Sequence, residues 1–257
     1  MKRVWDKVLK GYSFAVYVFL YAPILIMVTF SFNDSRLLAV WRGFSLRWYE
    51  TLLADPAVWK AFYNSMWVAS LTAAVSMVLG TMTAFVMIRY SFRGKSILDS
   101  SLYFPVVIPE ITEALSLLLF YVFTGIPLGA VTVVVGHIAF AISYAAIVIR
   151  ARLVGFDRSV EEAAKSLGAN ELRTFFHVTL PLILPGVIAG GLLAFTVSYD
   201  DFIKTAFTAG PGFQTLPLRI YAMASRGGVS PQLNALATVT LVVSLGLAVV
   251  RLRLSKA

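Results

Sequence analysis

The chain has 257 residues, of which 59% are hydrophobic and 14% are charged. Soluble domains contain about 45–50% apolar residues, and the excess here falls into long uncharged runs that are typical of a chain lying in lipid. The absence of cysteine excludes disulfides, thiolate metal sites and cysteine nucleophiles. The net charge of +9 does not indicate nucleic acid as a partner, because the basic residues cluster at the ends of the apolar runs.

Six runs predict membrane-spanning helices, since a span needs about 20 mostly apolar residues. They are 11–32, 65–88, 101–123, 131–149, 182–198 and 233–250. The first run follows basic residues but is too long for a signal peptide, so we interpret it as a retained helix. The third contains Pro105 and Pro109, which predict a kink or break. We therefore predict an all-α polytopic membrane protein, with residues 1–257 forming a single transmembrane domain.

Basic residues predict the orientation of the chain. They lie in both termini and in the second-to-third and fourth-to-fifth connections: Lys2, Arg3, Lys7, Lys10, Arg89, Arg93, Lys95, Arg150, Arg152, Arg158, Lys165, Arg173, Arg251, Arg253 and Lys256. Because cytoplasmic loops are rich in Lys and Arg, we expect these segments, both termini included, to be cytoplasmic. The outer segment 33–63 contains Trp41, Trp48 and Trp59, which favour a short amphipathic helix at the interface.

The fourth-to-fifth connection predicts two short helices joined by a turn. Ser159 and Glu162 form a candidate capping box that starts the first helix. Gly168 suits the left-handed position that ends it, and Asn170 suits the cap of the second helix. Pro181 suits the start of the fifth span.

An ordinary solvated helix pair is the simplest interpretation of this connection, but its apolar residues favour a docking surface. Ala163 and Ala164 offer a small face that another protein can approach closely. Leu167, Phe175 and Phe176 are apolar side chains that a solvated loop does not need.

The spacing of residues in this connection resembles the EAA motif of ABC importer permeases. The matching positions are Glu162, Ala163, Ala164, Gly168, Val178, Leu180 and Pro181, with Val178 standing where the family usually has isoleucine. The resemblance implies a type I ABC importer permease fold with a permease core over 61–251. It also implies that the loop 150–181 couples to an ATPase subunit through Glu162, Ala163, Ala164, Gly168, Leu180 and Pro181.

The chain itself lacks the features of an ATPase or a metalloenzyme. Gly94-Lys95-Ser96 looks like the end of a phosphate loop, but Arg89 stands where its first glycine should be, and a membrane helix precedes it. We interpret it as a basic turn, and we expect no cofactor in this chain, with ATP and Mg²⁺ held by a separate ATPase. His137 and His177 lack neighbours at metal-ligand spacing, so we interpret His137 as a satisfied polar group within the membrane and His177 as part of the loop.

Carboxylates near or inside the spans are the other candidate functional residues, because ionisable groups there are costly. Glu110 and Glu113 lie in the third run, and Asp200 and Asp201 follow the fifth. No basic residue lies within these runs, so the carboxylates favour a path for cations. Alternatively, the glutamates are protonated or bonded to backbone near the prolines, and the aspartates are interfacial and paired with Lys204.

Segments around these carboxylates resemble polyamine (spermidine/putrescine) importer permeases. The matching segments are Pro-Val-Val-Ile-Pro-Glu-Ile at 105–111, Ser-Tyr-Asp-Asp-Phe at 198–202 and Gly-Val-Ser-Pro-Gln-Leu-Asn-Ala-Leu-Ala at 228–237. Gln232 stands where those permeases usually carry glutamate. The resemblance implies a substrate pathway lined by Asp200, Asp201, Glu110, Glu113, Tyr199 and Tyr221, with the tyrosines suited to cation–π contacts.

The resemblance also implies partners and a location. We expect a second homologous permease subunit, an ATPase dimer and an external solute-binding protein, in a bacterial inner membrane, with alternating access driven by ATP. Three alternatives remain at this point. The cargo could instead be ferric iron, sulfate, molybdate or an amino acid. The chain could be a proton-coupled carrier that uses Glu110 and Asp201 as relays, or a scaffold that transports nothing.

Overall fold

The computed structural model describes residues 2–35, 40–227 and 230–254, and these ranges are almost wholly helical. The helices are α1 Lys2–Phe30, α2 Arg47–Leu53, α3 Pro56–Arg89, α4 Lys95–Val107, α5 Glu110–Thr124, α6 Ala130–Val154, α7 Ser159–Ser166, α8 Glu171–Thr174, α9 Leu180–Tyr199, α10 Ile203–Thr208, α11 Leu216–Gly227 and α12 Pro231–Leu254, with a π-helical turn Phe175–Thr179 before α9. In the described ranges, the only β pairing is an isolated bridge between Asn33 and Phe44. The predicted all-α class is confirmed.

Four helical segments are long and apolar enough to cross a membrane on their own. They are Trp5–Phe30, Pro56–Arg89, Ala130–Val154 and Glu171–Tyr199, and α4 with α5 adds a fifth if the bent pair is one span. The sixth predicted run lies in α12, where the described apolar stretch Pro231–Gly246 is shorter. The prediction of a polytopic membrane protein is confirmed, and the matched segment at 228–237 begins outside the described residues.

The third predicted span is broken into two helices that meet at an angle of 110°. Ile108 is extended, with φ −74° and ψ 136°, because the residue before a proline is pushed out of the helical region. Pro109 then precedes α5 and leaves Glu110 and Glu113 in its first turn. A helix N-terminus favours negative charge. The predicted kink or break is thus confirmed, and it sets the position of both glutamates.

The chain divides into two compact units, Met1–Trp59 with Arg219–Val243 and Lys60–Leu218 with Ser244–Ala257. In the first unit, α2 provides the short helix expected in the outer segment. The Trp48 indole N–H donates to the Asn33 carbonyl (2.8 Å). The Asp55 carboxylate accepts from the Arg219 guanidinium (3.3 Å). A single transmembrane domain with a permease core over 61–251 stays a prediction.

Small residues let three helices of the second unit pack closely. A Cβ added to Gly80 of α3 would lie 2.9 Å from the Ala145 Cβ of α6, and one added to Gly190 of α9 would lie 3.1 Å from the Ala145 carbonyl oxygen. A Cβ at Gly191 would overlap the Met77 side chain. Since lipid offers no hydrophobic drive between helices, close packing of this kind is what joins membrane helices.

Candidate functional site: a helical loop and a buried lysine among carboxylates

The α6–α9 loop (residues 155–179) folds as the predicted pair of short helices. Gly168 follows α7 with φ +88°, a left-handed conformation that side chains disfavour and glycine adopts freely. Its N–H donates to the Lys165 carbonyl (2.9 Å), and the Ala169 N–H donates to the Ala164 carbonyl (3.1 Å). This pair of bonds is a Schellman motif, so the prediction that Gly168 ends the first helix is confirmed.

The caps of the two loop helices were predicted with mixed success. The capping box at Ser159 is wrong, because Ser159 already lies in α7 and its N–H donates to the Asp157 carboxylate (2.9 Å). This hydrogen bond lowers the pKa of the Asp157 carboxyl. Asn170 caps α8 as predicted, and its side-chain oxygen accepts from the Arg173 N–H (2.8 Å).

The surface of the α6–α9 loop exposes large apolar side chains. Leu167 is 90% exposed, and Leu172 and Phe176 are also exposed. Glu162 and Ala163 lie on the exposed surface of α7, and Pro181 is exposed in the first turn of α9. Apolar side chains this exposed on a loop are typical of surfaces that contact another protein or a membrane.

A buried glutamate ties the α6–α9 loop to two helices. The Glu161 carboxylate accepts from the Arg89 guanidinium at the end of α3 (2.5 Å) and from the Thr179 hydroxyl just before α9 (2.5 Å). The Arg89 guanidinium also lies over the rings of Phe85 and Phe156, 5.6 Å from each centroid. We call Arg89, Glu161 and Thr179 the loop anchor. Sequence reasoning missed it because Glu161 looks like any other surface residue of a short helix.

A second group of charges lies where α5, α6 and α10 meet, around Lys204, which is only 4% exposed. Its Nζ lies 2.8 Å from Glu110 Oε1, 3.3 Å from Glu113 Oε2 and 3.8 Å from Asp201 Oδ2. The same atom lies 4.1 Å from the centroid of the Phe140 ring. We call these five residues the ammonium cluster. The expectation of carboxylates without a cation among them is therefore corrected, since Lys204 folds back between them.

Asp201 is held on its other side by buried polar groups. Its Oδ1 accepts from the Thr205 N–H (2.9 Å) and hydroxyl (3.0 Å) and lies 3.2 Å from His137 Nε2. His137 Nδ1 lies 2.7 Å from the Ser198 hydroxyl. His137 is thus a satisfied polar group, as predicted, although its carboxylate partner was missed because it comes from a distant part of the chain.

The ammonium cluster lies well inside the span of the helices that carry it. At a rise of 1.5 Å per residue, His137 lies about 10 Å from the start of α6 and Glu113 about 16 Å from the end of α5. Both distances are measured from the connection between α5 and α6. Measured along the helices, these distances are about a third to a half of a hydrocarbon thickness of about 30 Å, and charges at such positions within a span persist only when they are partnered or functional.

The structure brings together three of the six residues predicted to line a substrate pathway. Glu110, Glu113 and Asp201 meet at Lys204, whereas Asp200 is exposed and accepts from the Ser244 hydroxyl (2.9 Å). Tyr199 is buried, stacks on Phe195 and finds no hydrogen-bond partner for its hydroxyl among the described atoms. Tyr221 is exposed and belongs to the other compact unit. Their place in a pathway stays a prediction.

Metal binding has no support in the described part of the chain. No group of three or more His, Asp or Glu side chains there is arranged to hold a metal ion. The chemistry of the ammonium cluster is instead that of cation recognition, with anionic oxygens and an aromatic face around one ammonium group.

Comparison with known proteins identifies relatives over nearly the whole chain. The model of the family described as "binding-protein-dependent transport system inner membrane component" matches residues 76–256. The chain is 41% identical over 239 residues to the spermidine/putrescine transport system permease protein PotC of Haemophilus influenzae, covering 93% of each protein. It is 43% identical over 232 residues to the putrescine transport system permease protein PotI of Escherichia coli K12, covering 88% of this chain and 82% of that protein.

Among solved structures, the chain is similar to a chain of a bacterial alginate ABC transporter in complex with an alginate pentasaccharide-bound periplasmic protein. The TM-score is 0.75 at 16% sequence identity, and the match covers 97% of this chain and 93% of that one. At this identity the similarity shows the fold alone. The predicted fold and the resemblance to polyamine permeases are both confirmed by these comparisons.

Proposed function

Because the chain belongs to the family of binding-protein-dependent transport system inner membrane components, we propose that it is the membrane-spanning subunit of an ATP-driven importer that moves polyamines into the cytoplasm. The observation that carries this proposal is the identity of 41% and 43% to two permeases named for spermidine and putrescine transport, over most of each protein. The chain is a transport subunit rather than an enzyme.

The ammonium cluster supports the choice of a cationic cargo. Its carboxylates already stabilise one primary ammonium, that of Lys204, within the span. A polyamine carries several such groups, whereas sulfate or molybdate would meet like charges at the same position. This contrast favours a polyamine over the anionic cargoes that the sequence left open.

The α6–α9 loop supports the proposal of a separate motor. Leu167 and the exposed face of α7 around Ala163 would dock into the ATPase subunit, with ATP and Mg²⁺ bound on that subunit. The remaining proposed partners are an ATPase dimer, a second homologous permease and an external solute-binding protein.

We propose a bacterial inner-membrane location with both termini and the α6–α9 loop cytoplasmic, as the basic residues of these segments favour.

The loop anchor suggests how motion would pass from the motor to the helices. Glu161 joins the loop to the end of α3 through Arg89 and to the start of α9 through Thr179. When closure of the ATPase dimer pulls on the loop, both helices would follow, because breaking a buried ion pair is strongly unfavourable. Alternating access would then expose the ammonium cluster to one side of the membrane at a time.

Uptake of labelled putrescine tests the proposal directly. The chain should be expressed with its partner subunits in cells that lack other polyamine importers. We expect uptake that unlabelled spermidine competes for and that sulfate, ferric iron and amino acids leave unchanged. Uptake of an amino acid or of iron, together with no uptake of putrescine, would reassign the cargo.

Reconstitution in liposomes tests the motor. With the ATPase present, uptake should require ATP and should be insensitive to a protonophore. Uptake without any ATPase, abolished by the protonophore, would instead favour the proton-coupled carrier. Copurification of an ATPase and a binding protein with the full chain would identify the partners.

A further inference from the structure

We propose that Glu110, Glu113, Asp201 and the ring of Phe140 form a binding site for one primary ammonium group, which Lys204 occupies as a built-in substitute until an ammonium group of the cargo replaces it. The identity of the cargo rests on the proposed function. The existence of the ammonium site does not, because it follows from the contacts of Lys204.

The coordination of Lys204 is incomplete, because only one of the three carboxylates around it accepts a hydrogen bond from its ammonium. An ammonium has three N–H donors. The Lys204 ammonium donates to Glu110 Oε1 at 2.8 Å, and Glu113 Oε2 lies 3.3 Å from Nζ as an ion pair. The third carboxylate oxygen, Asp201 Oδ2, lies 3.8 Å away, beyond hydrogen-bond distance. This oxygen is buried and accepts no hydrogen bond from any described residue, and a buried acceptor without a donor costs free energy.

The surroundings of the cluster allow a cargo group to reach it. A cavity of about 180 Å³ borders the cluster and is lined by Pro105, Glu113, Leu117, Gly136, Ala139, Phe140 and Lys204. The Glu110 side chain is 46% exposed, while that of Asp201 is 1% exposed. The side chains of Glu110 and Glu113 can thus be reached from outside the cluster, Glu110 from the surface and Glu113 from the cavity, whereas Asp201 lies at the closed end.

A lysine at position 204 suits an occupant of the ammonium site that the cargo can displace. Its ammonium is a compact point charge on a flexible stem, whereas arginine would fix a planar fork on the carboxylates. Three carboxylates surround one ammonium, so an incoming cation is not repelled by the local charge. When the cargo leaves, Lys204 returns and prevents the carboxylates from remaining buried and unpaired, a state that is strongly unfavourable.

Lys204→Ala tests the site, because it deletes a fragment equal to propylammonium. We would purify the full chain with its partner subunits and measure the midpoint of thermal unfolding while titrating propylammonium. We expect it to raise the midpoint of Lys204→Ala by about 2–4 °C once it exceeds its dissociation constant several-fold. The wild-type protein, whose site is filled, should not respond over the same range.

Matched controls define what binds. 1-Propanol has the size of the probe but no charge, and tetramethylammonium has the charge but no N–H donors. 1-Propanol should not stabilise Lys204→Ala, and tetramethylammonium, which the carboxylates and the Phe140 ring can attract only by charge, should stabilise it less than propylammonium does. Lys60→Ala removes an exposed lysine and should behave as wild type. Equal shifts with propanol and propylammonium, or no shift in an assembled Lys204→Ala protein, would overturn the ammonium site.

Displacement is tested by titrating putrescine in the same assay without binding protein. If Lys204 competes for the site, the apparent affinity of the wild type is reduced by the fraction of time that the site is open. We expect half-maximal stabilisation of Lys204→Ala at a putrescine concentration at least ten-fold lower than for wild type. Equal concentrations would show that Lys204 does not compete.

A second variant covers the case in which Lys204→Ala does not assemble. Lys204→Ala combined with Glu113→Gln carries one carboxylate fewer and should assemble, and propylammonium should still stabilise it through Glu110 and Asp201. Because this variant lacks one proposed ligand, the shift should need a higher propylammonium concentration, and its complete absence at every concentration tested would overturn the inference. If the Lys204→Ala protein binds propylammonium but the wild-type transporter does not take up putrescine, only the proposal of a polyamine cargo is contradicted. If the wild type takes up putrescine normally but Lys204→Ala does not bind propylammonium, only the ammonium site is contradicted.

Discussion

The loop anchor and the ammonium cluster both place a largely shielded basic side chain beside carboxylates from distant parts of the chain, yet they are built differently. In the loop anchor, one guanidinium meets one carboxylate, and two aromatic rings flank it. In the ammonium cluster, one ammonium meets three carboxylates beside a cavity. One base paired with one acid joins helices, whereas three acids around one base leave an excess of negative charge that can bind a cationic ligand.

The two basic residues suit these roles. The planar fork of Arg89 holds its carboxylate in a fixed direction and stacks on rings, while the ammonium of Lys204 can leave and return on a flexible stem. A lysine at position 89 or an arginine at position 204 would therefore suit its region less well. The four predictions below test this contrast, from the largest expected effect to the smallest.

Asp201→Asn should have the largest effect. It removes the charge that Lys204, His137 and Thr205 share in a buried setting, and breaking such a network costs about 3–5 kcal/mol. We expect polyamine uptake to fall to background and the midpoint of thermal unfolding to drop. Both should be measured on the assembled transporter. Asp6→Asn, at an exposed position in α1, is the control, and a variant at Asp201 with normal uptake would contradict a working role for the cluster.

Arg89→Met should separate the two regions. It leaves Glu161 buried with only the Thr179 hydroxyl, at a cost of about 3 kcal/mol. We expect ATP hydrolysis by the complex to lose its stimulation by the cargo-loaded binding protein. Propylammonium binding to the Lys204→Ala cluster should persist when Arg89→Met is added.

Replacement of both charged partners sharpens the interpretation of that result. Arg89→Met with Glu161→Leu exchanges a buried ion pair for apolar contact, which often restores stability. The double variant should regain its thermal midpoint without regaining stimulation if the anchor transmits motion. Recovery of both properties would show that the anchor only stabilises the fold.

Gly168→Leu should reduce uptake by about ten-fold. A non-glycine residue at φ +88° costs about 1–2 kcal/mol, and the added bulk would project from the surface proposed to meet the ATPase, since no described atom lies within 4 Å of a Cβ built there. Gly168→Asn tolerates the left-handed conformation and should retain most uptake. Unchanged uptake and unchanged assembly with Gly168→Leu would remove the basis for an ATPase contact at this loop.

Asn170→Ala should have the smallest effect. Loss of the cap of α8 costs about 1 kcal/mol, which lowers the thermal midpoint by about 2–4 °C in a chain of this size. We expect uptake to change by less than two-fold, because neither the anchor nor the cluster is touched. Asn170→Ser, which can still cap, should match the wild type in both measurements.

Sequence patterns predicted the features that depend on neighbouring residues. Long apolar runs predicted the membrane-spanning helices. Pro109 predicted the break before Glu110, and Gly168 predicted the end of α7. The capping box at Ser159 was wrong because α7 begins one residue earlier than such a cap requires. The Asp157 carboxylate accepts from the Ser159 N–H two residues on, as aspartate does in tight turns.

The contacts that define the candidate site could not be predicted in this way. Lys204 and Glu110 are 94 positions apart, and Arg89 and Glu161 are 72 apart. Single side chains carry no signal of which distant partner they meet, since pairing is decided by helix packing. Proximity in the sequence indicates only the neighbouring aspartates as partners of Lys204, because its approach to the glutamates depends on how α10 lies against α5.

The double attachment of Glu161 has a consequence for engineering. A loop held only at its ends could be transplanted between permeases to make them work with a different motor. Here the carboxylate of Glu161 binds Thr179 at the loop's own end, next to α9, and Arg89 at the end of α3, outside the loop. A chimera that exchanges the loop but keeps its own residue at position 89 could therefore lose the contact between positions 89 and 161. Compatibility with a foreign ATPase would have to be selected at the loop and at position 89 together.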